Sequence, residues 1–244
     1  MASTLLVKEI YYSIQGESTW AGLPCVFIRL SGCDLRCSYC DSVYAFRGGT
    51  RMSVDEVVAE VERLGGSPSA SAAGSPLPLV EITGGEPLLQ ALVHPLMDRL
   101  CENGVKVLIE TSGAHDISPI NQSVSRIVDL KCPSSGESDR VRWENLAHLT
   151  NNDELKFVIT SVEDYEWARE MILRYKLAEV CPLLFSSVAP LSNAQQSDEL
   201  NVIPSTHSVL SREALVERLI EDRLPVRFQL QMHKFIWPPD QTGV

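Results

Sequence analysis

No apolar run in this chain approaches the ~18–20 residues that a membrane-spanning helix needs, so helical membrane spans are excluded. The opening residues MASTLLVK lack the basic, apolar, then small-residue order of a secretory signal, and the expected compartment is the cytoplasm. Positive charge is also scarce: 21 Lys and Arg stand against 32 Asp and Glu, a net charge of −11. A nucleic-acid binder needs a basic face to neutralise phosphates, so direct nucleic-acid binding is not expected and the partner reads as a small molecule. No internal repeat is present. Cysteine is too sparse and uneven for a disulfide scaffold, with seven in 244 residues. What remains is an ordinary soluble composition, 44% hydrophobic and 22% charged, with ample length to bury a core.

Residues 26–31 (VFIRLS) read as a strand that runs into a Gly- and Cys-containing loop. Ser53 with Glu56 three positions on is a capping box, and Val54, Val57, Val58, Val61 and Leu64 follow at helical spacing until Gly65 and Gly66. Residues 66–78 (GSPSASAAGSPLP) read as a flexible surface insertion rather than a domain linker, because strand–helix alternation resumes unchanged behind them. Further strands are predicted over 79–83, 106–110, 126–131, 154–160, 181–186 and 225–232. A helix carrying the Leu88 to Leu100 stripe is predicted, with others from near Ser161 and over 211–222.

Such alternation predicts an α/β fold in a single domain with parallel strands and right-handed crossovers. Six or so βα units are too few for a closed eight-stranded barrel, so an incompletely closed (partial) parallel βα barrel is expected. Active sites in such sheets gather at strand C-termini. The cysteine loop, TGGEP at 83–87 and ETSG at 110–113 all fall there, so three loops should meet at one mouth.

The strongest motif is Cys33-Asp-Leu-Arg-Cys37-Ser-Tyr-Cys40. Structural zinc and fully protein-bound 4Fe–4S clusters both want four protein ligands. Three thiols leave one metal position open for a ligand. The alternative is a zinc knuckle completed by a distant His or Cys. In Thr83-Gly84-Gly85-Glu86-Pro87, two glycines let backbone approach a ligand and Pro87 starts a helical turn without losing a needed hydrogen bond.

These two motifs resemble those of the radical S-adenosylmethionine (SAM) superfamily. Tyr12-Ser-Ile-Gln-Gly-Glu-Ser18, Phe27-Ile-Arg-Leu-Ser-Gly-Cys33, Glu110-Thr-Ser-Gly113 and Gln231-Met-His-Lys234 further resemble the 7-carboxy-7-deazaguanine synthase family of 7-deazapurine (queuosine) biosynthesis. The matches run from residue 12 to 237. The resemblance implies a carbon–nitrogen lyase that converts 6-carboxy-5,6,7,8-tetrahydropterin to 7-carboxy-7-deazaguanine, with ring contraction and loss of ammonia. It implies that Cys33, Cys37 and Cys40 hold the cluster and that Tyr39, Cys40, Asp41, Gly84, Gly85, Glu86, Lys131 and Ser134 contact SAM. Ile14, Gln15, Gly16, Arg29, Thr83, His233 and Pro238 would contact substrate, Arg29 by forking onto its carboxylate, and the tail over 235–239 would close over the pterin.

Magnesium is a further implied cofactor, held by the hydroxyl two residues after the last cysteine. Here that residue is Ser42, where the family usually has Thr; the ligand oxygen stays and a methyl is lost. The stretch 129–136 departs from the family's SAM-contacting segment. Cys132, Cys25, Cys101 and Cys181 read as core or wall thiols. Glu81 and Lys156 lie mid-strand on the inward alternation and read first as structural polar groups inside the barrel. The resemblance also implies a flavodoxin or ferredoxin reductant and a homodimer. Rival readings are a glycyl-radical-activating enzyme, against which the 15–17 and 231–234 segments speak, a non-enzymatic iron–sulfur electron carrier, and a zinc interaction module.

Overall fold

The computed structural model describes residues 3–65, 79–238 and 240–244; the predicted insertion over 66–78 lies outside them. Nine strands form one sheet in the order β3-β1-β2-β4-β5-β6-β7-β8-β9. These are β1 Leu5–Ile14, β2 Pro24–Leu30, β3 Thr50–Met52, β4 Leu79–Gly84, β5 Val107–Thr111, β6 Ser125–Asp129, β7 Glu154–Ile159, β8 Leu183–Ser187 and β9 Arg227–Gln229. From β2 to β9 every neighbouring pair is parallel, while β1 is antiparallel to β2 and β3. The two edge strands do not pair with each other, so the barrel stays open as expected.

Helices α1 Val54–Gly65, α2 Val93–Glu102, α3 Val162–Tyr175 and α4 Arg212–Asp222 cover the outside, and a short α5 His233–Ile236 sits near the C-terminus. The predicted capping box forms, with Ser53 and Glu56 bonding each other reciprocally, and a second box, between Ser161 and Asp164, opens α3 where a helix was expected to begin. No helix among the described residues is long and apolar enough to cross a membrane.

Period-2 alternation divides the sheet into two faces. Val26, Ile28 and Leu30, with Val80 and Ile82 beside them, point outward and pack with Val57, Val61, Leu96, Met97 and Leu100 of α1 and α2 into the main core. Inward from β2, β4, β5 and β6 point Cys25, Phe27, Leu79, Leu108 and Ile127, a small apolar plug. One step toward the strand C-termini the inward residues become polar: Arg29, Glu81, Thr83, Glu110, Asp129 and Lys156.

Three local expectations are corrected. The predicted helix over the Leu88 to Leu100 stripe breaks into a single 3-10 turn, Pro87–Leu89, before α2 begins. Extended Gln90 intervenes because its side chain bonds Leu6 N and O and Ser31 O, satisfying β1 at Leu6 just beyond the end of β2, on the side away from β3. The predicted 225–232 strand shrinks to three residues, since 231–234 turn into α5. Strand β1 was not predicted at all, although Leu5, Val7, Ile10, Tyr11 and Ile14 carry strand-forming residue types.

Candidate active site

A cavity of about 370 Å³ opens at the C-terminal ends of the parallel strands, within the range of small-molecule sites. Cys33, Cys37 and Cys40 line it, and all three are free thiols. Their loop is tied down from several sides. Gly32 N bonds Ala45 O at 2.9 Å. Arg36 Nη1 bonds the carbonyls of Cys33 (2.9 Å) and Leu35 (2.7 Å), and its guanidinium lies 4.3 Å over the Phe46 ring. Ser38 bonds the carbonyls of Ser134 (2.6 Å) and Ser135 (3.0 Å). Burial raises all three thiols, Cys37 to about 11 and Cys40 to about 12, with nearby Lys131 pulling the other way. Without metal they stay protonated at neutral pH; metal binding would displace those protons.

The donor set fits an iron–sulfur cluster better than a single ion. Among the described residues no three His, Cys, Asp or Glu groups are placed to ligate one ion, as a zinc knuckle would require. A cluster takes one thiolate on each of several irons and tolerates wider spacing. Cys132 is fully buried in the main core and belongs to packing. The buried hydroxyl of Tyr39, also on the cavity wall, has no hydrogen-bond partner among the described residues, as expected of a group that meets a ligand.

The TGGEP loop is fastened to the cysteine loop. Glu86 N bonds Gly32 O at 2.8 Å and Gly85 N bonds Leu30 O at 3.2 Å. A Cβ on Gly85 would lie 2.2 Å from Gly32 O and 2.7 Å from Cys33 Cβ, so only glycine permits this contact. Glu86 itself does not face the cavity. Its buried carboxylate accepts from Thr111 Oγ1 (2.9 Å), Ser112 N (2.8 Å), Ser112 Oγ (2.6 Å) and Leu88 N (3.0 Å), knotting TGGEP to ETSG.

Most residues expected to contact SAM or substrate come together on the wall: Ile14, Gln15, Gly16, Arg29, Tyr39, Asp41, Thr83, Gly84, Gly85, Lys131 and His233, with Ser42, the expected magnesium ligand, beside them. Three do not. Glu86 is occupied as described. Ser134 is fully buried, its hydroxyl shared with Ser161 (2.9 Å) and His207 (2.8 Å) and its N–H with Asp164 (2.7 Å). Pro238 is exposed and, like 235–237 of the expected tail, off the wall; residues 240–244 line the cavity, and 239 lies outside the described residues.

The C-terminal segment closes one side. Met232 N bonds Gly16 O at 2.9 Å, and Gln231 Nε2 bonds Glu17 at 3.0 Å. A Cβ on Gly16 would lie 2.5 Å from His233 Nδ1. Burial lowers the His233 pKa against the pull of Glu17 and Asp41, favouring the neutral ring. Lys234 pairs with Asp41. Burial alone would raise that carboxyl, but Lys234 holds it well below the usual range. Arg29 gives Nε to Glu9 (2.9 Å) and Nη2 to Tyr11 (3.1 Å), leaving further N–H groups for a ligand. Lys156, 5% exposed, bridges Glu17 (2.6 Å) and Glu110 (2.7 Å). Glu110, which opens the matched ETSG segment, and Glu81 and Lys156, which the inward alternation placed inside the barrel, all lie on the wall; an ionisable residue mid-strand in an apolar run is their signal.

The chain is 46% identical over 240 residues to 7-carboxy-7-deazaguanine synthase of Koribacter versatilis, covering 98% of this chain and 99% of that protein. The chain belongs to the 7-carboxy-7-deazaguanine synthase family. The protein of that name from Chlorobaculum tepidum is 38% identical, covering 98% and 97%. The radical SAM superfamily profile matches residues 27–132, which carry the cysteine loop and TGGEP. The fold agrees with the crystal structure of QueE from Escherichia coli, with a TM-score of 0.68 at 22% identity over 95% of this chain and 96% of that one. This is a radical SAM enzyme, which sets aside the electron-carrier and zinc-module readings.

Proposed function

We propose that this enzyme converts 6-carboxy-5,6,7,8-tetrahydropterin to 7-carboxy-7-deazaguanine. The observation that carries the reading is one cavity joining three open-site cysteines to Gln15, Arg29 and Thr83, in a chain nearly half identical, end to end, to a protein named for that product. Cys33, Cys37 and Cys40 would hold the 4Fe–4S cluster. A cluster held there would supply, once reduced, the electron for reductive cleavage of SAM. Gly84, Gly85, Tyr39, Asp41 and Lys131 are positioned to hold SAM, and Arg29 to hold the substrate carboxylate. Neutral His233 and the 240–244 tail help to close the site.

Ser42 is the proposed magnesium ligand. Its hydroxyl donates to Asp41 Oδ1 at 3.0 Å, so its lone pairs remain for a hard cation that keeps waters or substrate oxygens. A flavodoxin or ferredoxin reductant, a homodimer and a cytoplasmic location complete the proposal, the first two resting on the family resemblance. Anaerobic reconstitution with reductant, SAM, magnesium and the pterin, followed by mass spectrometry, tests it. 7-Carboxy-7-deazaguanine is the expected product. Cleavage of SAM without it would overturn the substrate assignment, and intact SAM in a colourless protein would overturn the cluster.

A further inference from the structure

Glu81 is a buried acid that nothing above employs. It lies mid-way along β4, in register between Phe27 of β2 and Leu108 of β5. It is 3% exposed and faces the cavity on the same side as Thr83, one pleat deeper. Its carboxyl accepts a hydrogen bond from Gln15 Nε2, while Gln15 Oε1 accepts from Glu17 N at 2.9 Å. Among the described residues it has no ion-pair partner. The nearby cation Lys156 is taken by Glu17 and Glu110.

A buried carboxylate without a cation is costly, and such a group neutralises instead. Burial, then the negative neighbours Glu110 and Glu17, push the Glu81 pKa well above the usual carboxylate range, against the weaker pull of Lys156 and Arg29. A neutral carboxyl is both an O–H donor and a C=O acceptor. Gln15 uses one lone pair and leaves the donor unsatisfied. A residue needed only to fill space between Phe27 and Leu108 would be apolar.

We propose that Glu81, steadied by Gln15, is the substrate-recognition residue that reads the lactam edge of the bound heterocycle, donating to its ring carbonyl and accepting from the adjacent ring N–H. The assignment rests on the pterin reading above, since a pterin carries that edge as C4=O beside N3–H. Thr83, one pleat nearer the mouth, and the Ile14-to-Gly16 segment beside Gln15 then contact the same ring from two sides.

Binding of fluorescent 6-carboxypterin and of its N3-methyl derivative to the SAM-loaded holoenzyme tests this, with Glu81→Gln and Glu81→Leu as variants and SAM affinity as the control. The wild type should prefer the unmethylated ring on the order of 10- to 100-fold, the effect of stranding buried polar partners. Glu81→Gln retains a donor and an acceptor and should bind within about threefold, since a neutral amide makes hydrogen bonds of similar worth. Glu81→Leu should weaken 6-carboxypterin by the same order and lose the preference, with SAM affinity unchanged. If Glu81→Leu keeps the preference, or if Glu81→Gln, folded and binding SAM, loses it, Glu81 does not read the edge and the pterin assignment survives without it. If the wild type binds neither pterin, the pterin reading falls and this inference with it.

Discussion

Replacing Lys156 with Met should expose how the cavity floor is held together. Lys156 is 5% exposed and sits 2.6 Å from Glu17 and 2.7 Å from Glu110. Met matches its length but carries no charge, so two carboxylates lose their shared cation in a buried place. Breaking a buried pair by removing one partner costs about 3–5 kcal/mol, a large share of the ~5–15 kcal/mol of a typical domain. For a chain of this size about 1 kcal/mol corresponds to ~2–4 °C, so the melting temperature should fall by about 6–20 °C at pH 8. The sign with pH follows from Glu17. In the wild type its pKa is lowered: burial raises it but Lys156 and His233 prevail. Its ion pair therefore stabilises above the unfolded value of about 4.3 and fades as pH falls through the lower folded value. In the variant the pull of Lys156 is lost and burial is left opposed by His233 and Gln231, so Glu17 takes up a proton more readily and the penalty should shrink between about pH 8 and 5. Differential scanning fluorimetry of both proteins at the two pH values measures this. A drop under ~3 °C, or an equal drop at both, would refute the account of Lys156 as the cation that makes the floor tolerable.

Four other outcomes follow. Gly85→Ala drives a methyl into Gly32 O and Cys33 Cβ; it should cost about 1–3 kcal/mol in urea unfolding and weaken SAM binding at least about tenfold, as a misplaced site would. Glu86→Ala strands buried donors of Thr111 and Ser112, at about 1–3 kcal/mol, and should loosen the mouth in hydrogen exchange at 110–113. Cys37→Ala should abolish the cluster's visible absorbance and SAM cleavage while the far-ultraviolet dichroism stays native. Ser42→Ala should raise the magnesium concentration needed for half-maximal turnover, and Ser42→Thr should not.

The sequence displayed the architecture through two periodicities. Inward–outward alternation on the strands and the apolar stripes of α1 and α2 are local signals, and they placed three motif loops at one barrel mouth. What it hid was non-local. Strand β1 has a partner on both sides for only part of its length, so its burial pattern is blurred. The break after Leu89 depends on Gln90 reaching Leu6, 84 positions away. Glu86 and Ser134 sit in segments that the resemblance assigns to SAM, and only their hydrogen-bond partners reveal that they brace the loops. The wall formed by residues 240–244 follows from where the chain returns, which no local pattern encodes.

The C-terminal segment has a larger role than closing a gap. Through Gln231 and Met232 it holds the Gly16–Glu17 loop, and through Lys234 it holds Asp41 beside the third cysteine. One short stretch, 231–234, thus fixes the spacing between the loop assigned to substrate and the loop assigned to the cluster. Behind the cavity lining, buried Glu86 likewise ties TGGEP to ETSG. A radical generated at one group must reach a hydrogen on another without diffusing, and a near-attack spacing of ~3–3.5 Å is needed for that. In this chain the spacing is set by buried, charge-assisted ties between loops, not by the loops' own stiffness. Cutting the Lys234–Asp41 tie should therefore uncouple SAM cleavage from product formation before it unfolds the protein.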